Sequence, residues 1–345
     1  MEHFFKNIQI TNFKSIKQLD LNDCNRINLF IGRPNVGKSN ILEALGVLSL
    51  PHIRFNASKN LNQFVRVENE AELFFDGNIK ETVTINTNVL SAKISYEPYI
   101  TFERKANFIT ESVTNNWGIH FDFFNKIGPL ACYSIDESLN LIERDIRGES
   151  FLVKKYLFIP KVLYKQVNAP FLIPPHGVNL LNSIEINENL KAELIHLFKE
   201  YGLTLVFDKA SQSLKIMKER KDDSVFLIPY NSIADTLQRI VFFKTAIASN
   251  KNSVLLFEEP EAHSFPPYIT HITQEIIHST TNQFFITTHS PFIVNDFLEN
   301  CRDQLSVFAV NYVDGQTVAK KLTSQELDDI YQSGVDLFTN IETYI

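Results

Sequence analysis

Apolar and polar positions alternate from the start of the chain. In KNIQITNFKSIKQLDLN, Ile8 and Ile10 share a face and Phe13 is displaced by a turn, the pattern of an antiparallel hairpin. RINLFIG then runs continuously apolar to Gly32, as in a strand buried on both faces. From Lys38 to Leu50 the apolar spacing becomes helical. Between Val65 and Ile109, the segments AELFFDG, ETVTINT and AKISYEPYITF alternate over short stretches and predict a β-rich region, with turns at Asp76-Gly77 and Glu97-Pro98. Residues 110–225 mix aromatics, prolines and a helical SIEINENLKAELIHLFKEYG. They hold no repeat and no long heptad run, so no coiled-coil arm is expected.

Strong patterning returns in the last third. IADTLQRIVFFKTAIAS is helical, SVLLFEEP is a buried strand ending in carboxylates, PPYITHITQEIIHS is a helix, and NQFFITTHSP is a second buried strand. Strands and helices that alternate at both ends of the chain imply one α/β sheet assembled from the two ends. The expected division is residues 1–109 and 226–345 for the two parts of that body, with 110–225 as an inserted α+β region.

Composition changes this picture little. The 345 residues allow one large domain or two ordinary ones, and 44% hydrophobic content is ample for a core that the 29 Phe help to fill. A formal charge of -7 argues against wholesale wrapping of nucleic acid. Three short basic stretches, Lys154-Lys155, Lys218 to Lys221 and Lys320-Lys321, read as solvated faces. Three scattered cysteines, without a CxxC pair, predict neither a zinc site nor a disulfide framework. The N-terminus lacks the pattern of a signal peptide, and no window approaches the ~20 apolar residues of a membrane span. The expectation is a soluble, cytoplasmic protein with no membrane partner.

The chemistry begins at GRPNVGKS, which matches G-x-x-x-x-G-K-[ST] at every fixed position from Gly32 to Ser39. Two glycines let backbone N–H groups converge on phosphate oxygens, Lys38 reaches the β- and γ-phosphates, and the Ser39 hydroxyl ligates Mg²⁺. The following helix adds its positive N-terminal dipole. The candidate nucleotide loop is therefore Gly32, Arg33, Pro34, Asn35, Val36, Gly37, Lys38, Ser39 and Asn40, taking ATP and Mg²⁺. In SVLLFEEPEAH, four apolar residues deliver Glu258 and Glu259 to a strand end. Glu258 would hold Mg²⁺ through water, and Glu259 would polarise an attacking water as general base. Alone, EEPE reads as a solvated acidic turn; next to a phosphate loop it reads as the second half of the site. His289, at the end of FFITTHSP, is the third candidate, for the γ-phosphate or the attacking water.

ITNFKSIKQLDL followed by NLFIGRPNVGKSNILEAL, then LLFEEPEAH and ITTHSP, resembles the ABC-type ATPases of the SMC, RecF and OLD-like superfamily. More narrowly it is similar to their short AAA-family ATP-binding members, found in bacterial anti-phage defence and toxin–antitoxin-like loci. The resemblance implies a P-loop NTPase with an ABC-ATPase-like head. It implies a homo-oligomer, at least a dimer, in which two chains meet head to tail and a signature segment of one caps the γ-phosphate held by the other. YNSIADTLQRIVFF stands in that place, so Ser232, Ala234 and Gln238 become trans candidates. Ala234 replaces the family's glycine, and Ser232 reads equally well as a helix N-cap.

By the same resemblance Lys14 is a candidate near the nucleotide, although a surface lysine is an equal reading. Gln63 is a candidate metal-coupling glutamine, and His263 falls where chains meet. Glu258 departs from the family's Asp by one methylene, about 1.5 Å of reach, which implies slow hydrolysis. The implied function is an ATP-driven switch in anti-phage defence controlling an effector protein, a nuclease or toxin. A RecF-like DNA-binding repair ATPase is the alternative, which keeps nucleic acid open as a partner.

Overall fold

The structure is a computed structural model that describes residues 4–105, 108–148, 151–160, 162–211, 213–218, 224–334 and 337–344. Strands β1 (Ile8–Phe13) and β2 (Ile16–Leu21) form the expected hairpin, with Phe13 opposite Ile16. Buried on both faces, β3 (Ile27–Ile31) leads through the glycine loop into α1 (Lys38–Val47). Strands β4 (Val83–Thr87), β5 (Leu90–Lys105), β6 (Phe108–Asn125), β7 (Pro129–Ile135) and β8 (Leu141–Ile146) follow. With the hairpin they make an antiparallel sheet of order β2-β1-β4-β5-β6-β7-β8.

The chain then enters β9 (Val153–Tyr156), α2 (Leu180–Glu185), α3 (Glu188–Glu200) and a small antiparallel sheet of β10 (Thr204–Asp208), β11 (Ser213–Lys218) and β12 (Phe226–Pro229). The last part runs through α4 (Asp235–Ala248), β13 (Val254–Glu258), α5 (Pro266–His278), β14 (Gln283–Thr287) and α6 (Pro291–Asn300). It ends with β15 (Leu305–Val313), β16 (Gln316–Lys321) and α7 (Ser324–Ser333). The central sheet has the order β16-β15-β3-β14-β13-β9, parallel except for β15 with β16. Apart from β9, its strands come from the two ends of the chain, as the alternation of strands and helices predicts.

Successive side chains of a strand point to opposite faces, so the central strands feed two cores. Leu29, Leu255, Phe257, Phe284 and Ile286 face a core completed by α4, α5 and α6. Phe30, Val254, Leu256 and Phe285 face the other, shared with α1 and the antiparallel sheet. Continuous apolar runs are what this double burial requires.

The structure corrects four expectations. First, strand β6 crosses the division at 109/110, and β5 and β6 pair along most of their length. Strand β9, also within 110–225, is the edge of the central sheet. The segment that follows is not separate either: Leu181 and Ile184 of α2 join Leu194, Phe198 and Ile216 in the core beneath α4. Second, Glu97-Pro98 is not a turn: β5 runs through it with a register shift between Pro98 and Ile100. Third, AELFFDG is two short 3₁₀ turns, Glu70–Leu73 and Phe75–Gly77, where the Asn69 side chain accepts from Ala71 N and starts the first turn.

Fourth, the basic pair Lys154-Lys155 is buried rather than solvated, 6% and 2% exposed. Of the other basic stretches, Glu219 to Lys221 lie outside the described residues, and Lys320 is exposed and pairs with Glu326 at 3.2 Å.

Candidate active site

The glycine loop leaves the end of β3 and is clamped from two sides. A Cβ on Gly32 would collide with the Val310 carbonyl oxygen, and one on Gly37, at φ +95°, would collide with Thr317 Oγ1. Only glycine fits such an approach. Thr317 Oγ1 donates to the Val36 carbonyl at 3.0 Å and lies 2.7 Å from Ser15 Oγ, which accepts from Asn40 Nδ2 at 2.6 Å. Asn40 thus ties the loop to the β1–β2 turn. Arg33, Pro34 and Asn35 are exposed, Val36 is buried and Ser39 is half-buried. Arg33 pairs with Glu342 at 2.8 Å, both largely exposed.

Lys38, buried at the start of α1, donates to the carbonyls of Gly32 at 2.9 Å and Arg33 at 2.7 Å. Burial pulls its ammonium down to about 8, against the opposing pull of Glu259. Glu259 follows β13 with φ 42°, a left-handed conformation that is strained for a residue with a Cβ and that clusters at functional sites. Its N–H donates to the Thr287 carbonyl at 3.0 Å, and its Oε1 lies 3.5 Å from His289 Nε2. Burial and the neighbouring Lys38 hold His289 below the usual histidine range, with Glu259 opposing. Lys38, Glu259 and His289 therefore converge from three chain segments.

Glu261 supports that convergence from beneath. It is buried, and its Oε1 accepts from Thr288 Oγ1 at 2.6 Å and His289 N at 2.9 Å, fixing the turn that carries His289. Burial raises its carboxyl above the usual range despite those bonds.

Glu258 sits in a charge network. Its Oε1 accepts from Arg66 Nη2 at 2.7 Å and its Oε2 lies 3.8 Å from Lys155 Nζ. Arg66 Nε also donates to Glu43 Oε1 at 2.6 Å, and Lys14 Nζ pairs with the other Glu43 oxygen. Glu43 lies in α1 with its side chain fully buried. Burial alone would raise the Glu43 carboxyl, but Lys155, Lys14 and Arg66 hold it below the usual carboxylate range. Lys14 is thus held by Glu43 and by the Arg66 carbonyl at 2.6 Å. Gln63 Nε2 donates to the Ser58 carbonyl at 2.7 Å, and Arg66, three residues on, is the side chain that meets Glu258.

The signature segment lies at the start of α4. Its N-cap position is Ala234, with no side-chain cap, so Ser232 is not the N-cap; Ser232 is exposed at the end of a short 3₁₀ turn, Tyr230–Ser232. Ala234 is exposed. Gln238 is buried and its Nε2 donates to the Ile233 carbonyl at 2.9 Å. It props up its own segment and does not point outward. His263 is exposed at φ 59°, and its carbonyl accepts from Thr236 Oγ1 at 3.3 Å, which places it beside Ser232 and Ala234. Arg66, Glu43, Lys155, Glu261 and Thr317 are absent from the sequence-derived site. The third acid of EEPEAH was the one local signal for any of them.

Two glycines whose surroundings exclude a Cβ, a helix N-terminus with no side-chain cap and a buried lysine at its first position fit a nucleotide phosphate group. This arrangement, on a sheet built from both chain ends, defines a P-loop nucleotide-binding protein. A family model described as AAA domain, putative AbiEii toxin, Type IV TA system, matches residues 27–295. The chain belongs to that family. It is 24% identical over 213 residues to the DNA replication and repair protein RecF of Streptococcus suis strains 05ZYH33 and 98HAH33. The match covers 59% of this chain and 52% of theirs, so the chain spans about half the length of these relatives. Among solved structures, the SMC head bound to the C-winged helix domain of ScpA matches with a TM-score of 0.50 at 13% identity, covering 94% of this chain and 99% of that one. At that identity the likeness shows the fold. Among the described residues no helix is long and apolar enough to cross a membrane.

Proposed function

We propose that the protein is an ATP-binding and ATP-hydrolysing switch that closes as a head-to-tail dimer or higher oligomer. The convergence of Lys38, Glu259 and His289 carries this reading. The loop N–H groups and Lys38 would hold ATP, with Ser39 and Glu258 toward Mg²⁺, which when bound neutralises charge on the phosphates. Glu259 takes a proton from the attacking water, and His289, kept neutral by burial and Lys38, positions that water by a hydrogen bond. Arg66 holds Glu258 through one exposed side chain. Its release frees the carboxylate for the metal site, and this added step supports a slow switch rather than a pump. Ser232, Ala234 and His263 share an exposed edge suited to meeting a second copy.

The family description, a putative toxin of a Type IV TA system, supports a place in a toxin–antitoxin-like locus; we extend this to anti-phage defence, with control of a partner effector, a nuclease or toxin. The RecF relatives carry the second reading, in which the closed form grips DNA. Lys38→Ala should abolish ATP binding. Glu259→Gln should retain binding and lower hydrolysis by roughly 10²-fold or more, the scale of general-base catalysis. Hydrolysis by Glu259→Gln at the wild-type rate would overturn the catalytic assignment. DNA recovered with the trapped variant, in place of a protein effector, would favour the second reading.

A further inference from the structure

At the opposite end of β13 from Glu258 and Glu259, a cavity of about 980 Å³ opens between β9, the α2–α3 junction and the loop from α4 to β13. The length of a five-residue strand, roughly 16 Å, separates it from the phosphate site. Lys154 lines it. The side chain is buried, Nζ donates to Ser253 Oγ at 2.9 Å, and it lies 4.6 Å from the Phe171 ring centre. Among the described residues no carboxylate forms an ion pair with Lys154; Glu188, which also lines the cavity, does not reach it. Among the described residues its direct partners are one hydroxyl and one ring, a costly arrangement for a buried ammonium.

An unmatched cation on the wall of a cavity is complementary to an anion. Phe151, Pro170 and Ile186 supply apolar contact for its body.

We propose that this cavity is a second ligand site, distinct from the phosphate loop, for a small organic anion. The anionic group pairs with Lys154. The inference does not depend on hydrolysis at the phosphate loop.

The test is titration calorimetry of the full chain carrying Lys38→Ala, which removes phosphate binding at the glycine loop, with glycerol 3-phosphate and, separately, glycerate. Saturable binding of either probe is expected, and the one that binds identifies the anion as phosphate or carboxylate. Adding Lys154→Met should weaken binding tenfold or more. Ser253→Asp, which sets a carboxylate beside the ammonium, should do the same and serves if Lys154→Met does not fold. With Lys38 intact, Lys154→Met should bind ATP as wild type does. Absence of saturable binding by both probes, or binding that survives both substitutions, overturns the proposal.

Discussion

Lys154 and Lys155 are neighbours on one edge strand, both buried, and they face opposite cores. Lys155 lies beneath α1, where its Nζ donates to the Phe64 carbonyl at 2.8 Å and stands 3.8 Å from Glu258, with Glu43 adding a second carboxylate field. Gly46 makes room for it, since a Cβ there would lie 2.8 Å from Lys155 Cδ. Lys154 faces the other way and, among the described residues, has no carboxylate partner. The pair teaches that burial alone does not define a lysine's role. Compensated, it is a structural charge that holds the Glu258 side of the site; uncompensated beside a cavity, it is a place for an anion.

The sharpest way to break the comparison is Lys155→Met. Removing one member of a buried charge network leaves the others unmatched, so unfolding by urea should show a loss of about 3 kcal/mol. A variant as stable as wild type would mean that Lys155 carries no structural charge. Gly46→Ala should follow, losing about 1–2 kcal/mol by overpacking against Lys155, and Gly46→Ala combined with Lys155→Met should lose less than the sum of the two.

Lys154→Met should change stability by less than about 1 kcal/mol, or raise it, because an apolar side chain replaces an unmatched charge. The pH dependence of that difference is the smallest effect. Burial depresses Lys154 to about 8 in the folded chain, against about 10.4 when unfolded. The folded state therefore binds fewer protons between those values, so the penalty on wild type is full below pH 8 and fades as pH rises toward 10. The stability of Lys154→Met relative to wild type should fall from pH 7 to about pH 10; a relative stability that rises would reverse the assignment.

The two lysines also show what the sequence makes legible. Strand, glycine loop and helix could be read from Ile27 to Val47 because continuous apolar runs and fixed glycines are local signals. The buried strand that ends at Glu258 was legible for the same reason, as was the one before His289, although it stops two residues earlier, at Thr287. The adjacent charges of Lys154 and Lys155 read as a solvated face, because nothing local shows that an edge strand will be covered on both sides by α1 and by the α2–α3 segment. Arg66 was invisible because it meets Glu43 and Glu258 only through the fold. Gln238 looked outward by its place in a motif, but the helical turn aims it at Ile233. The 109/110 division does not hold because β-strand pairing, which joins β5 to β6 across it, leaves no mark in composition.

The central claim is that two chains complete one ATP site. The direct measurement is the mass of Glu259→Gln by sedimentation, with and without ATP and Mg²⁺, with Ser232→Arg in the same background as the control. The account predicts that ATP doubles the mass of Glu259→Gln, or raises it to a higher even multiple, and that Ser232→Arg prevents this while ATP still binds. A chain that binds ATP and stays a monomer would contradict it.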